Sequence, residues 1–283
     1  MTLGAGFVGA RLDVGQYVAL WRALGLGTRP PTLSVLDHGD TYAERDALDA
    51  AAWRRLAAQG LLDARGAPDP GLADALGVLD RPAVELDVVV QRDGAPPRTG
   101  VVAARGTLGV VARLDGDGLL LEPADPHDLA GSLLARLPDA RAAPGVGMSL
   151  PAAALFGRGR TLDERAHRLR RAGVPAHHVD RLRALWATTP TGALTFGCAA
   201  RDGDGVSRRG PRTVTVLDTA VGRVAWGLDA SGRHVLVLPL DRPRLRAALA
   251  DLLDEHARAV TPGDQPDGCA ADSAARRAPR SSR

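Results

Sequence analysis

Few residues in this 283-residue chain have the types and spacing that chemistry needs. Gly4-Ala5-Gly6-Phe7-Val8-Gly9 matches the dinucleotide fingerprint letter for letter. That fingerprint requires a buried strand before it and a helix after it, so that turn amides and a helix N-terminus meet a pyrophosphate. Only Met1-Thr2-Leu3 precedes it, no βαβ unit follows, and no acidic residue ends a second parallel strand. The glycines therefore read as part of a flexible lead over 1–12, with a nicotinamide enzyme as a minor alternative. His177 and His178 are neighbours, which on a helix point about 100° apart and cannot share a metal as an i, i+4 pair does. His38 falls in a turn between Asp37 and Gly39-Asp40. Cys198 and Cys269 each lack a nearby second cysteine, so neither a metal quartet nor a redox pair is expected. No Ser–His–Asp pattern emerges. The chain contains no Lys and no Asn, which removes Schiff-base, phosphate-loop and lysine-base chemistry and any N-glycosylation acceptor. Neither a catalytic residue, a metal nor a cofactor is expected.

Positive charge is the next candidate. All of it is Arg, and the formal net charge is +3. The span 162–186 resembles a helix-turn-helix, with Leu162, Ala166 and Leu169 on one face, Gly173 at the turn, and Val179, Leu182 and Leu185 inward from the second helix. Arg165, Arg168, Arg170, Arg171, Arg181 and Arg183 supply charge, which makes a DNA-binding regulator the alternative function. A reading helix places Arg, Asn, Gln or Lys at its N-terminus. Here that end is Pro175-Ala176-His177-His178, and Asp and Glu are dispersed along the chain, so no nucleic-acid partner is expected. The absence of Ile, Lys and Asn reflects GC-rich codons. No basic leader and no apolar run of about 18 residues is present, so the expectation is a cytoplasmic protein without membrane insertion.

The elements that position these residues follow from periodicity. Helices are predicted over 14–24, from an N-cap at Thr41 to about 59, and from Asp69-Pro70 to 79; Glu44 completes a capping box with Thr41. Ala47, Leu48, Ala51, Trp53 and Leu56 are the expected buried face of the second. A short strand is expected over 32–36, and Gly60 ends the helix before it. Residues 142–149 read as a connection, followed by helices over 151–156, 162–171 and 175–186, with Thr161 and Glu164 as a second capping box. The four tryptophans fall at core positions. From residue 261 the composition loses periodicity and reads as a disordered tail, 261–283.

The chain also repeats itself. Both 75–137 and 182–253 read as helix, four strands, helix. Val84-Glu85-Leu86-Asp87-Val88 and Ala193-Leu194-Thr195-Phe196 open the strands of each unit. Polar loops at 92–98 and 201–212 follow, and both fourth strands run into a proline, Pro123 and Pro239. The expectation is an α+β fold: one central antiparallel sheet from two pseudo-symmetric halves, about 13–140 and 150–260, flanked by helical bundles, in a single domain over 13–260.

In this order the pieces resemble the EspG family of ESX (type VII) secretion-associated proteins. The likeness rests on Leu20-Trp21-Arg22-Ala23-Leu24-Gly25-Leu26-Gly27 before Pro30-Pro31, on Asp40-Thr41-Tyr42-Ala43-Glu44-Arg45 leading to Gly60-Leu61, and on Asp218-Thr219-Ala220-Val221-Gly222-Arg223. The resemblance covers about 14–256. It implies a cytosolic chaperone that binds a PE–PPE-like or other helical type VII substrate and covers its apolar tip before export. It also implies a partner surface made of the sheet, the hairpin loop 92–98 and the helix pair 162–186. On this sequence those are Val88, Val90, Arg92 and Arg98 at the hairpin, and Arg165, Leu169 and His178 on the helices.

Overall fold

The computed structural model describes residues 7–260 apart from 38, 117, 159, 160, 188 and 230. A four-residue strand, β1 (Ala10–Asp13), runs directly into helix α1 (Val14–Ala23). Asp13 forms the joint, because its carboxylate accepts the Gln16 N–H while the Gln16 side chain accepts the Asp13 N–H. Helix α2 (Tyr42–Ala58) is capped by Thr41 with Glu44, and α3 (Pro70–Asp80) by Asp69 with a proline in the first turn. Four strands follow as a meander: β2 (Val84–Arg92), β3 (Ala95–Arg105), β4 (Leu108–Asp115) and β5 (Gly118–Pro123), closed by the short α4 (Leu129–Leu134).

The second half repeats that plan. Strand β6 (Met148–Pro151) runs into α5 (Ala152–Phe156), and α6 (Leu162–Arg171) and α7 (Ala176–Trp186) follow. Then come β7 (Gly192–Arg201), a short β8 (Ser207–Arg209), β9 (Val214–Thr219), β10 (Gly222–Leu228) and β11 (His234–Pro239), closed by α8 (Arg242–Val260). The strands of the described residues form one antiparallel sheet in the order β1-β5-β4-β3-β2-β7-β9-β10-β11-β6, with β8 paired to β7 off this path. That order is unchanged when the halves are exchanged. The seam obeys the same two-fold: Val84 pairs with Ala200 and Arg92 with Gly192, so swapping β2 and β7 maps their ladder onto itself. Val88 and Phe196 face each other at its midpoint.

Strand alternation divides the core between the two faces. On one face, Leu86, Val88, Leu194, Phe196 and Val216 are covered by α4 and α8. On the other, Val101, Val110, Leu119 and Leu121 meet α1 and α3 in the first half. Val224, Val235 and Val237 meet α5, α6 and α7 in the second. Asp128, the N-cap of α4, pairs with Arg246 of α8 at 2.8 Å, and this bond holds its carboxyl below the usual range. Arg242 at the start of α8 donates to the carbonyls of Leu134 and Leu137 at the end of α4. The two closing helices thus cap one another across the halves.

Several sequence expectations change. The lead does not extend to residue 12: Ala10–Asp13 is paired to β5, Leu12 is buried, and Phe7 packs on the first core, while residues 1–6, including Gly4 and Gly6, lie outside the described residues. The tail over 261–283 and His38 also lie outside them. The strand expected over 32–36 is a 3₁₀ turn, Pro31–Leu33, because Pro31 fixes φ and offers no N–H to a ladder. Ala47 and Leu48 are exposed, since α2 is 17 residues long against 10 for α1 and its first turns overhang. The connection 142–149 ends in a strand, β6, too short to show a period. The hairpin loop 92–98 is only a two-residue turn, Asp93-Gly94, with Pro96 and Pro97 inside β3. Those prolines are tolerated because β4 pairs with β3 only from Thr99 onward, leaving the earlier N–H side without a ladder partner.

The 218–223 turn has a role beyond turning the chain. The Arg223 guanidinium is buried and donates to both Asp218 oxygens, Nε at 2.6 Å and Nη2 at 3.0 Å, and to the Pro138 carbonyl at 3.3 Å. The Arg223 N–H donates to Arg141 O at 2.8 Å, and Arg223 O accepts the Ala143 N–H at 3.0 Å. The segment that joins the two halves is therefore laid alongside β10 as a parallel bridge. Gly222 makes room for it: its φ is +131°, and a Cβ there would stand 2.6 Å from Ala143 N. Gly222→Ala should lower unfolding stability by about 1–3 kcal/mol through strain and displacement of this segment. Gly227→Ala, in open space on the same strand, should change it by less than about 0.5 kcal/mol; urea denaturation monitored by tryptophan fluorescence compares the two.

Candidate functional site

The four hairpin residues expected to meet a partner line one groove beside the end of α4. Val88, Val90 and Arg92 share a strand face, Arg98 lies opposite Val90 in the ladder, and Gly100 lies opposite Val88. Val88 is only 1% exposed and forms part of the core beneath the groove, so it is not a contact residue as expected. Val90 is half-buried, and Arg92 and Arg98 are exposed. Gly100 leaves a notch in the floor: a Cβ there would approach Ala112 O to 3.3 Å and the Arg113 side chain to 3.4 Å. Leu133, Arg136, Leu137 and Pro138 supply the opposite wall. Arg113 and Arg136 both approach Glu122, at 3.3 and 3.5 Å. The sequence reading missed Arg113, Arg136 and Leu137, which only the pairing of β3 with β4 and the return of α4 bring to the hairpin.

The helix-pair residues are elsewhere, on the opposite face of the sheet. Leu169 is fully buried among Val179, Leu182 and Leu185, a correction to its expected place at a partner surface: it is the residue that joins α6 to α7. Arg165 lies over the Trp186 ring at 5.4 Å. His178 is half-buried, its ring 4.3 Å from that of His177, and burial followed by the charges of His177 and Arg181 pushes its pKa down. Four more of the six arginines that a DNA reading would use are engaged within the molecule. Arg168 donates to the carbonyls of Ala154, Gly157 and Arg158, closing the end of α5. Arg170 pairs with Asp180, Arg183 with Asp163, and Arg181 bonds the Val146 carbonyl.

A third cluster occupies the centre of the sheet. Glu85 and Asp87 project from β2 on the face away from α4 and are 8% and 4% exposed. Asp87 accepts a bidentate pair from Arg209 of β8, at 2.7 and 2.9 Å. The guanidinium passes over Gly197, where a Cβ would overlap its Nη2. Burial, and then the neighbouring Asp87, push the Glu85 carboxyl up to about 7, against the opposing pull of Arg209 and Arg201. Alternation in Val84-Glu85-Leu86-Asp87-Val88 was legible, but no role was read for the two acids. Pairing of β2 on both sides places them mid-sheet.

Cys198 is buried; burial and then Asp87 raise its thiol. Among the described residues no three His, Cys, Asp or Glu side chains are grouped to hold a metal ion. What the groove offers is recognition: apolar surface at Val90 and Leu137 beside guanidinium groups that suit carboxylates.

Comparison with known proteins bears on the same span. The family model described as EspG family matches residues 13–251. The ESX-1 secretion-associated protein EspG1 of Mycobacterium tuberculosis is 29% identical over 258 residues, 87% of this chain and 87% of its own length. A chain of the solved structure of the M. tuberculosis type VII secretion system chaperone EspG5 in complex with a PE25–PPE41 dimer superposes with a TM-score of 0.67. That superposition covers 87% of this chain and 96% of the other at 18% identity, and it shows the same fold.

Two outcomes follow from the buried side chains. Glu85 keeps its proton in the folded state to about pH 7 but in the unfolded chain only to about 4.5. Folding therefore takes up a proton between these values, and stability falls as pH rises through that window. Glu85→Gln should flatten the dependence of stability on pH between about 4.5 and 7 and raise stability at pH 8 by roughly 2–3 kcal/mol, read by urea denaturation across pH. Arg168→Ala leaves carbonyls at the end of α5 without donors and should cost about 1–3 kcal/mol, read as a lowered Tm with secondary structure retained in circular dichroism.

Proposed function

The chain belongs to the EspG family, and from that premise we propose that it is a cytosolic chaperone of type VII (ESX) secretion. Its client is a PE–PPE-like helical substrate whose apolar tip it covers before export. The observation that carries this reading is the family match across 13–251, which takes in both halves of the sheet, the hairpin and the helix pair. The fold shared with a chain of the EspG5 complex, solved with a PE25–PPE41 dimer, supports it. An exposed apolar helix tip self-associates in water; burial against a second protein removes that surface and stabilises the client by mass action.

In this reading the protein binds and does not catalyse. Residues 13–260 act as one unit, with Val90, Arg92 and Arg98 at the hairpin groove and Arg165 and His178 on the helix pair as contact positions. Among the described residues no helix is long and apolar enough to cross a membrane, in keeping with a role before the export step. DNA binding is not retained as a second reading, because Arg168, Arg170, Arg181 and Arg183 are committed to intramolecular partners.

Co-expression with a PE–PPE heterodimer encoded in the same genome should yield a complex of one chain with one heterodimer, resolved by size-exclusion chromatography with light scattering. Elution of this chain alone beside a soluble heterodimer would overturn the reading.

A further inference from the structure

The two-fold that relates the halves makes a specific comparison possible. It carries Val88 onto Phe196, Val90 onto Cys198 and Arg92 onto Ala200, as the register of β2 with β7 requires. The closing helices of the two halves should then cover equivalent strips of sheet, but they differ in length: α4 has six residues and α8 nineteen. The extra turns of α8 cover the second half. Leu252 is buried over Cys198, whose Sγ is 3.8 Å from the Leu252 carbonyl, and the His256 ring bonds Arg208 O at 2.7 Å. In the first half α4 ends at Leu134, the chain turns away at Pro138, Val90 is left half-buried and Arg92 exposed. The groove is the place of the missing turns.

Its charge describes what fills it. Arg92 and Arg98 flank the opening and have no ion-pair partner among the described residues, Arg113 and Arg136 share the carboxylate of Glu122, and Asp115, the acid of the lining, is paired with Arg11. Such a rim disfavours lysine-rich segments and attracts carboxylates. We propose that the groove seats the end of a partner helix, an apolar stripe flanked by carboxylates, which takes in the first half the position that the last turns of α8 take in the second. This rests on the secretion-chaperone reading for the identity of the partner, and it assigns the chemistry by which that partner is selected.

Two synthetic amphipathic helical peptides with the same leucine stripe, one flanked by glutamates and one by lysines, test this by fluorescence anisotropy with the full chain. The glutamate peptide should bind about tenfold tighter or more, and the preference should shrink with added salt. Val90→Trp, which fills the groove, and Arg92→Glu with Arg98→Glu, which reverses its rim, should each abolish binding, with folding verified by near-ultraviolet circular dichroism. No binding, equal binding of both peptides, or binding indifferent to both variants would overturn the assignment. Capture of the heterodimer is scored separately. A chain that captures it yet fails here loses the groove and keeps the chaperone reading; the reverse result keeps the groove for an acid-flanked helix and removes secretion.

Discussion

The pairing of β2 with β7 is the constraint on which the rest of the structure depends. Nine residue pairs join them, and every other strand of the path hangs from one side of that seam or the other. Because the ladder maps onto itself, each half can present the same face to its own helices without a register conflict. A slip of one residue would turn either Leu86 and Val88 or Leu194 and Phe196 out of the core shared by α4 and α8. Each of these side chains contributes roughly 1.5–3 kcal/mol by burial, so the register is strongly specified.

The seam alone does not make one body of two halves. Three sets of polar contacts complete it: the mutual capping of α4 and α8, the Asp87–Arg209 pair across the centre, and the Asp218–Arg223 pair that holds the joining segment. Of these, Asp218–Arg223 is largely buried on both sides, and removing one member leaves a charge without a partner in low dielectric. These contacts place the motif Asp218-Thr219-Ala220-Val221-Gly222-Arg223 in structural terms. Its acid and its arginine bind each other, and its glycine admits the backbone of Ala143.

In the proposed reading, function comes from the departures from symmetry. A perfectly duplicated body would cover both halves of the sheet equally and offer a partner no opening. Here one closing helix is long and the other stops after little more than a turn and a half, so an apolar strip with an arginine rim stays open beside the hairpin. The chain belongs to the EspG family, and the opening recognises by shape and charge, which is what the proposed chaperone role asks of it.

What the sequence determined by itself was whatever acts over one turn or one strand. Thr41 with Glu44, Thr161 with Glu164, and Asp69 with Pro70 start their helices where read, since a cap needs only a side chain and an amide three residues on. Alternation marked the paired strands of each half, and from their repetition came the pseudo-symmetric sheet. Strands β1 and β6 were invisible, because four residues carry no measurable period and their pairing partners lie far away in the chain. An apolar residue reads alike whether it faces solvent, core or partner, so Val88 and Leu169 passed for contacts until packing buried them. Only tertiary structure decided that Arg92, Arg113 and Arg136 share one groove and that Arg223 grips the segment between the halves. Those neighbours are set by strand order and by where each helix returns, and no local preference of the chain encodes either.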